Sequence, residues 1–221
     1  AADDLWRKAT ALFSQIEELY PGAMNVRTEM LDRNGKVTSV TELRFANTLG
    51  ENGEVQSELV SALEDSRDVT AARRARRQER RGKREEARFS LSDSPFNPKR
   101  QERLDLHPSM EQGVIAGRAC RRFDFSYRME ANGPRKGAAL VQRGMAWLEQ
   151  QSGRPLKLEY TFDPLPRRVK RLWTVCLFEP EEANPWVMRE IRAEGQGGIL
   201  FIRKGFRMVT RFEAYRPVTG G

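Results

Sequence analysis

Apolar residues along this chain follow two different spacings, and the switch between them outlines its elements. Over Asp4–Tyr20 (DLWRKATALFSQIEELY), Leu5, Ala9, Leu12, Phe13, Ile16 and Leu19 recur at three- and four-residue steps, which predicts an amphipathic helix. Asp3 and Asp4 suit its N-terminus, and Pro21-Gly22 is the expected stop. The period then falls to two. Met24, Val26, Thr28 and Met30 alternate with polar residues; after RNGK, Val37, Thr41, Leu43 and Phe45 share a face again. Asn34-Gly35 between these runs predicts a hairpin. Within Glu54–Asp65, Val55, Leu59, Val60 and Leu63 return to a one-sided helical pattern. Asp68 is placed to cap a further helix through an arginine-rich stretch, so a helical insertion is expected over about residues 66–88, ended by SDSPFNP. From about Glu102 onward the chain reads as strands separated by short Gly, Pro and Asn turns, Gly153 among them.

Short connections between successive strands imply an antiparallel meander. The expected class is α+β: one domain spanning 1–221, with an N-terminal helix, a hairpin, a helical insertion and a long antiparallel sheet. Such a sheet has one covered face and one wet face. Few helices are available to cover the apolar face, which leaves room for an apolar ligand groove. Met30, Leu43, Phe45, Leu158, Tyr160 and Trp186, all on apolar phases of strands, are the residues expected to line it.

Composition narrows the function. The hydrophobic fraction is 38% and the charged fraction 32%, and no apolar run approaches the roughly 20 residues of a membrane-spanning helix. The chain opens AADDLW with no initiator Met, which suits removal of a signal peptide and points to an exported, periplasmic location. Of the net charge of +8, six units fall in AARRARRQERRGKREEAR, residues 71–88, so the rest of the chain is close to neutral. Arg73, Arg74, Arg76, Arg77, Arg80 and Arg81 concentrate on one side of a helix. Three readings stand: a solvated helix, a surface for an anionic protein or membrane headgroups, and a nucleic-acid contact. The last lacks a recognition-helix framework, a zinc module and interleaved aromatics.

Catalytic signatures are missing: there is no P-loop, GxGxxG, GxSxG or HExxH. The single histidine, His107 in LDLHPS, has no evident partner, and two cysteines with one histidine fall short of a zinc site. No enzyme activity, cofactor or metal is expected. Cys120 (GRACRRF) and Cys176 (WTVCLFE) fall in two segments that read as strands of one sheet, and a Cys120–Cys176 disulfide is expected if those strands are neighbours.

The order of elements, with V-x-T-E-M…G-K-V, RGMAWLEQQSGRPLKLEY, DPLPRRVK and the closing GGILFIRKGFRMVTRFEAYR, resembles the LolA/LolB-type superfamily of periplasmic lipoprotein carriers and lipoprotein-sorting proteins. The resemblance implies a half-open antiparallel barrel whose concave face, lidded by helices, holds acyl chains. The longer, more basic insertion and the two cysteines depart from that pattern. The leading expectation is a non-enzymatic exported protein that takes up lipid or lipoprotein acyl chains. The competing one is an interaction or sensor module that docks through its arginine-rich helix onto an anionic partner.

Overall fold

The structure is a computed structural model that describes residues 2–50, 54–80, 94–130, 139–165, 169–181, 184–199 and 202–218. The first helix, α1, runs Ala2–Glu17. Leu5, Trp6, Ala9, Phe13 and Ile16 form its buried stripe, so the three- and four-residue spacing folds as expected. The helix ends earlier than the sequence suggests, and Pro21-Gly22 does not stop it. Both residues lie inside strand β1 (Leu19–Leu31), where Pro21 faces Tyr215. The Pro21 carbonyl accepts a hydrogen bond from Asn47 Nδ2 at 2.8 Å. A Cβ on Gly22 would stand 2.6 Å from the Ala214 carbonyl oxygen, so glycine here permits a close strand approach.

The predicted hairpin joins β1 to β2 (Val37–Leu49), with Gly35 at φ +81° in its turn. Residues 54–65, read as helical, form strand β3 (Val55–Glu64) instead. The reason is a bulge. Phe45 faces Leu59 while the adjacent Arg44 faces Ser61, leaving Val60 as an extra residue. The buried phase therefore steps from Leu59 to Ala62, and that three-residue interval imitates a helix. β4 (Arg67–Asp68) folds back on the end of β3, and α2 (Thr70–Arg80) follows. Asp68 Oδ1 accepts from the Thr70 amide at 2.8 Å, which places it at the helix start. The described helical insertion is thus α2; the expected span from 81 to 88, including Arg81, lies outside the described residues.

A short 3₁₀ turn, Pro98–Arg103, leads into β5 (Leu104–Ile115). Then come β6 (Arg118–Glu130), β7 (Ala139–Glu149), β8 (Pro155–Asp163), β9 (Val169–Glu181), β10 (Asn184–Ile199) and β11 (Ile202–Pro217). All eleven strands form one curved antiparallel sheet in the order β4-β3-β2-β1-β11-β10-β9-β8-β7-β6-β5. The meander holds from β5 to β11, and β11 then pairs with β1 along Leu19–Leu31. The sheet stays unclosed, with β4 and β5 at its two edges.

Two apolar clusters occupy one face. The larger joins α1, Phe96, and the aromatic and aliphatic residues of β6 to β11. The smaller is Phe45, Leu59 and Ala62, with Val69 against it. Phe96 closes the larger cluster. It is wholly buried, 5.0 Å from the Trp6 ring and 6.3 Å from Phe178. Gln101 fastens the same segment, accepting from Trp6 Nε1 at 2.9 Å and donating to the Pro95 and Asn97 carbonyls.

Candidate ligand-binding face

Strand register shows how the alternating residues build one surface. A single cross-strand row runs Ala62, Leu43, Val26, Thr210, Ile191, Cys176, Leu158, Ala146, Phe123, Pro108, crossing ten strands with Thr210 as its one hydroxylic side chain. Two rows further along on the same face, past Thr28, Met208, Ala193 and Thr174, Met30, Phe206, Gly195 and Leu172 stand side by side on β1, β11, β10 and β9. Gly195 is needed there, because a Cβ would meet the Phe206 ring at 2.4 Å. The larger cluster spans β6–β11 beneath α1 and the 94–103 segment, the smaller lies on β2 and β3 beside α2, and Met24 packs against both. On the same face Val26, Thr28, Leu43, Met208, Phe206, Leu172 and Tyr160 are half-buried, and Met30 is 36% exposed.

The structure distributes the six expected lining residues unevenly. Met30 and Leu43 belong to the half-buried middle. Phe45 is buried under α2, where the Arg77 guanidinium lies 5.0 Å from its ring centre. Leu158 is buried in the larger cluster, and Tyr160 packs against that cluster's margin. Trp186 is remote from Met30: its indole donates to the Pro155 carbonyl, and Arg118 and Arg154 lie 5.7 and 5.6 Å from its ring centre.

The cysteines are free and buried, contrary to the expected disulfide. Cys120 is on β6 and Cys176 on β9, with β7 and β8 between them. Three strand spacings amount to about 14 Å, well beyond bridging reach. Their phases also differ: Cys120 shares the phase of Arg122 and Trp147, and Cys176 that of Leu158. Burial pushes the Cys176 thiol up to about 12, although a hydrogen bond from Tyr160 acts in the opposite direction. Burial likewise raises the Tyr160 hydroxyl, which touches both Cys176 and Thr174. Burial raises the Cys120 thiol as well. Neither thiol is therefore poised as a nucleophile. His107 lies on β5, exposed and 3.3 Å from Asp105. No cluster of metal-ligating side chains occurs among the described residues.

The arginines of α2 mostly turn back on the protein. Arg74 donates to the Leu59 and Val60 carbonyls, at 2.9 and 3.2 Å, where β3 forms the sheet edge. Arg73 stands 3.7 Å from Glu64, and Arg77 lies on Phe45. Arg76 is exposed; Arg80 is the last helical residue. A charged edge helix of this kind blocks pairing of another strand.

The opposite face of the sheet is polar. Glu190, 8% exposed, receives Arg211 at 2.8 Å and also Arg192. Burial would raise its carboxyl, but the two guanidinium groups outweigh that and hold it below the usual range. Arg27 pairs with Glu29 at 3.0 Å and with Glu42.

Cavities among the described residues fall on both the polar face and the sheet margins. One of about 350 Å³ lies on this polar face, lined by Asn25, Arg27, Glu42, Arg44 and Arg211. A second, about 300 Å³, lies between β3 and α2, with Arg74, Arg77 and Leu59 in its wall. The third, about 250 Å³, is at the ends of β1, β11, β10 and β9, lined by Asp32, Arg33, Lys170, Gln196, Gly197, Lys204 and Gly205. Of the six expected lining residues these cavities take in Leu43 alone. The last cavity was invisible in the sequence. Its cations come from a hairpin turn and two strands far apart along the chain, with no shared motif.

No family model matches the chain, and no curated protein matches it by sequence. Among solved structures it is similar to a domain from Vibrio parahaemolyticus described as an outer membrane lipoprotein-sorting protein. That match has 15% identity and a TM-score of 0.42, covering 100% of this chain and 95% of that one. A DUF1329 family protein from Desulfovibrio piger ATCC 29098 matches with 14% identity and a TM-score of 0.39, covering 100% and 94%. The MucA/MucB complex from Pseudomonas aeruginosa matches with 11% identity and a TM-score of 0.25, covering 99% of each chain.

Proposed function

We propose that this chain is a single-domain, non-enzymatic, exported binding protein that takes up an acyl chain of a lipid or lipoprotein on the concave face of its curved sheet. The observation that carries the reading is the row across ten strands that is apolar but for Thr210, in which Leu43, Val26 and Ile191 are half-buried among buried neighbours. An aqueous enzyme site needs convergent polar groups, and this row offers one threonine. The proposed contact residues are Met30 and Leu43 in the middle of the face and Tyr160 at its margin, with Phe45 and Leu158 flooring the helix-covered ends. Trp186 supports the fold at a distance. No helix among the described residues is long and apolar enough to cross a membrane.

Docking through the arginine-rich helix onto an anionic protein, a membrane surface or nucleic acid draws less support. Arg73, Arg74 and Arg77 already have partners on the sheet.

Native mass spectrometry of protein purified without detergent tests the proposal. It is expected to show co-purified lipid, and Met30→Glu is expected to lose it while keeping the fold, because Met30 is partly exposed. Wild-type protein free of lipid, and unable to bind a soluble fatty-acid probe, would refute it.

A further inference from the structure

The cavity at the ends of β1, β11, β10 and β9 lies just beyond the last row of the apolar face and draws on both strand phases, Gly197 and Lys204 from that of Gly195 and Phe206, Gln196 and Gly205 from that of Glu194 and Arg207. Lys204 shares the strand phase of Phe206 and Met208, which faces Met30 and Thr28 across β1. Its partner across β10 is Gly197, two residues beyond the Gly195 that the Phe206 ring overlies. Lys170 is the extra residue of a bulge, since Gln196 faces Arg171 while Gly197 faces Val169. Arg33 enters from the β1–β2 turn.

Three cations thus line a space of about 250 Å³, and each is exposed, with no ion pair among the described residues. The one acidic neighbour, Asp32, has its carboxylate committed to the hairpin. Its Oδ1 accepts from the Asn34 and Lys36 amides at 2.8 and 2.9 Å. Elsewhere on the sheet arginines are matched to glutamates, as Arg27, Arg192 and Arg211 are. Here three positive charges meet with that single acid. Gly197 and the buried Gly205 contribute no side chain to the wall, and Gln196 adds a neutral donor.

We propose that this cavity binds a phosphoryl group, the headgroup of an amphiphile whose acyl chain lies along the adjoining apolar face. The inference rests on the acyl-chain reading above and adds to it the class of headgroup. A phosphoryl group offers several acceptor oxygens to cations that approach from different strands, and lysines serve such a group as point charges. The acyl chain would leave the cavity past Phe206 and Met30.

Isothermal titration of the whole chain at low salt tests this with three probes: dihexanoyl phosphatidate below its micelle point, neutral dihexanoylglycerol, and inorganic phosphate. The expected result is phosphatidate binding at least tenfold tighter than that of the neutral ester. Each cation near a surface anion contributes a factor of about five, so Lys170→Gln/Lys204→Gln is expected to lose about 25-fold for phosphatidate and nothing for the ester. Both lysines are exposed, so the double variant is expected to keep its unfolding midpoint, and Arg33→Gln alone should lose about fivefold. Phosphatidate and ester binding alike, unchanged by the substitutions, would overturn the phosphoryl site and leave the acyl-chain reading standing. Inorganic phosphate binding as tightly as phosphatidate, with the same loss in the variant, would keep the phosphoryl chemistry and overturn the amphiphile. No binding of any probe would overturn both.

Discussion

Replacing Phe96 by alanine tests whether the segment before β5 is part of the core or rests loosely upon it. Phe96 is wholly buried between Trp6 and Phe178, so its ring has no access to water in the folded state. Removing a fully buried phenylalanine forfeits roughly 1.5–3 kcal/mol of transfer free energy. The two ring contacts add about 0.5–1.5 kcal/mol each. The void left between rigid α1 and the sheet brings the total into the range of about 3–5 kcal/mol seen for such truncations. With a urea m-value of about 2 kcal/mol/M, the midpoint should fall by about 1.5–2.5 M at unchanged slope. Phe96→Leu, which keeps most of the volume, should lose far less. A Phe96→Ala loss below about 1 kcal/mol would refute the reasoning. The segment would then be detachable, and the division of the apolar face into a covered end and an open middle would fail with it.

Further expectations concern charge and thiols. Glu190 is held below the usual carboxylate range, so its contribution is present at neutral pH and is lost as pH falls through its lowered folded value. Glu190→Gln should therefore cost roughly 1–2 kcal/mol near pH 7 and flatten the acid limb of a stability-versus-pH curve; an unchanged limb counts against the pairing. Unfolded, unreduced protein should titrate two thiols, and folded protein should react slowly at pH 8, as buried thiols pushed upward require. Rapid reaction of the folded protein would contradict the burial. Arg74→Gln removes the guanidinium from the Leu59 and Val60 carbonyls, costing about 1 kcal/mol and increasing concentration-dependent light scattering; unaltered scattering would argue against its role as an edge cap.

The sequence disclosed the fold best where one periodicity ran uninterrupted. α1 keeps its helical step throughout, and β1, β2 and most stretches of the strands from Leu104 onward keep the two-residue step between bulges, with packing on one face enforcing it. Prediction failed at β3 because one bulged residue, Val60, turns a two-residue step into three, and only the partner strand shows that a residue has been skipped. Pro21-Gly22 misled for a related reason. A proline-glycine pair ends a helix by local sterics, yet here it serves a strand pressed close against Ala214, a contact made 192 residues after Gly22. The disulfide failed on sheet order, which nothing in the two cysteine segments encodes. Among the expected lining residues, phase was legible and depth was not. Met30 and Trp186 both alternate correctly, but the helix coverage that separates them is set by α1 and Phe96. Phe96 sits in a Pro-rich segment whose sequence reads only as a break.

The pairing of β1 with β11 bears on how the molecule assembles. Every other neighbouring pair of strands is joined by a short piece of chain, whereas this central seam brings together residues near opposite ends of the sequence. Two blocks, β1–β4 and β5–β11, can each zip up locally, and the slow step is their annealing along a long ladder whose closure entropy is large. Until the seam forms, β1 and β11 are both bare edges with apolar alternation, the state most prone to pair with another molecule. Losing the last strand would open two raw edges in the middle of the sheet, on β1 and β10, where a typical terminal truncation merely trims the rim.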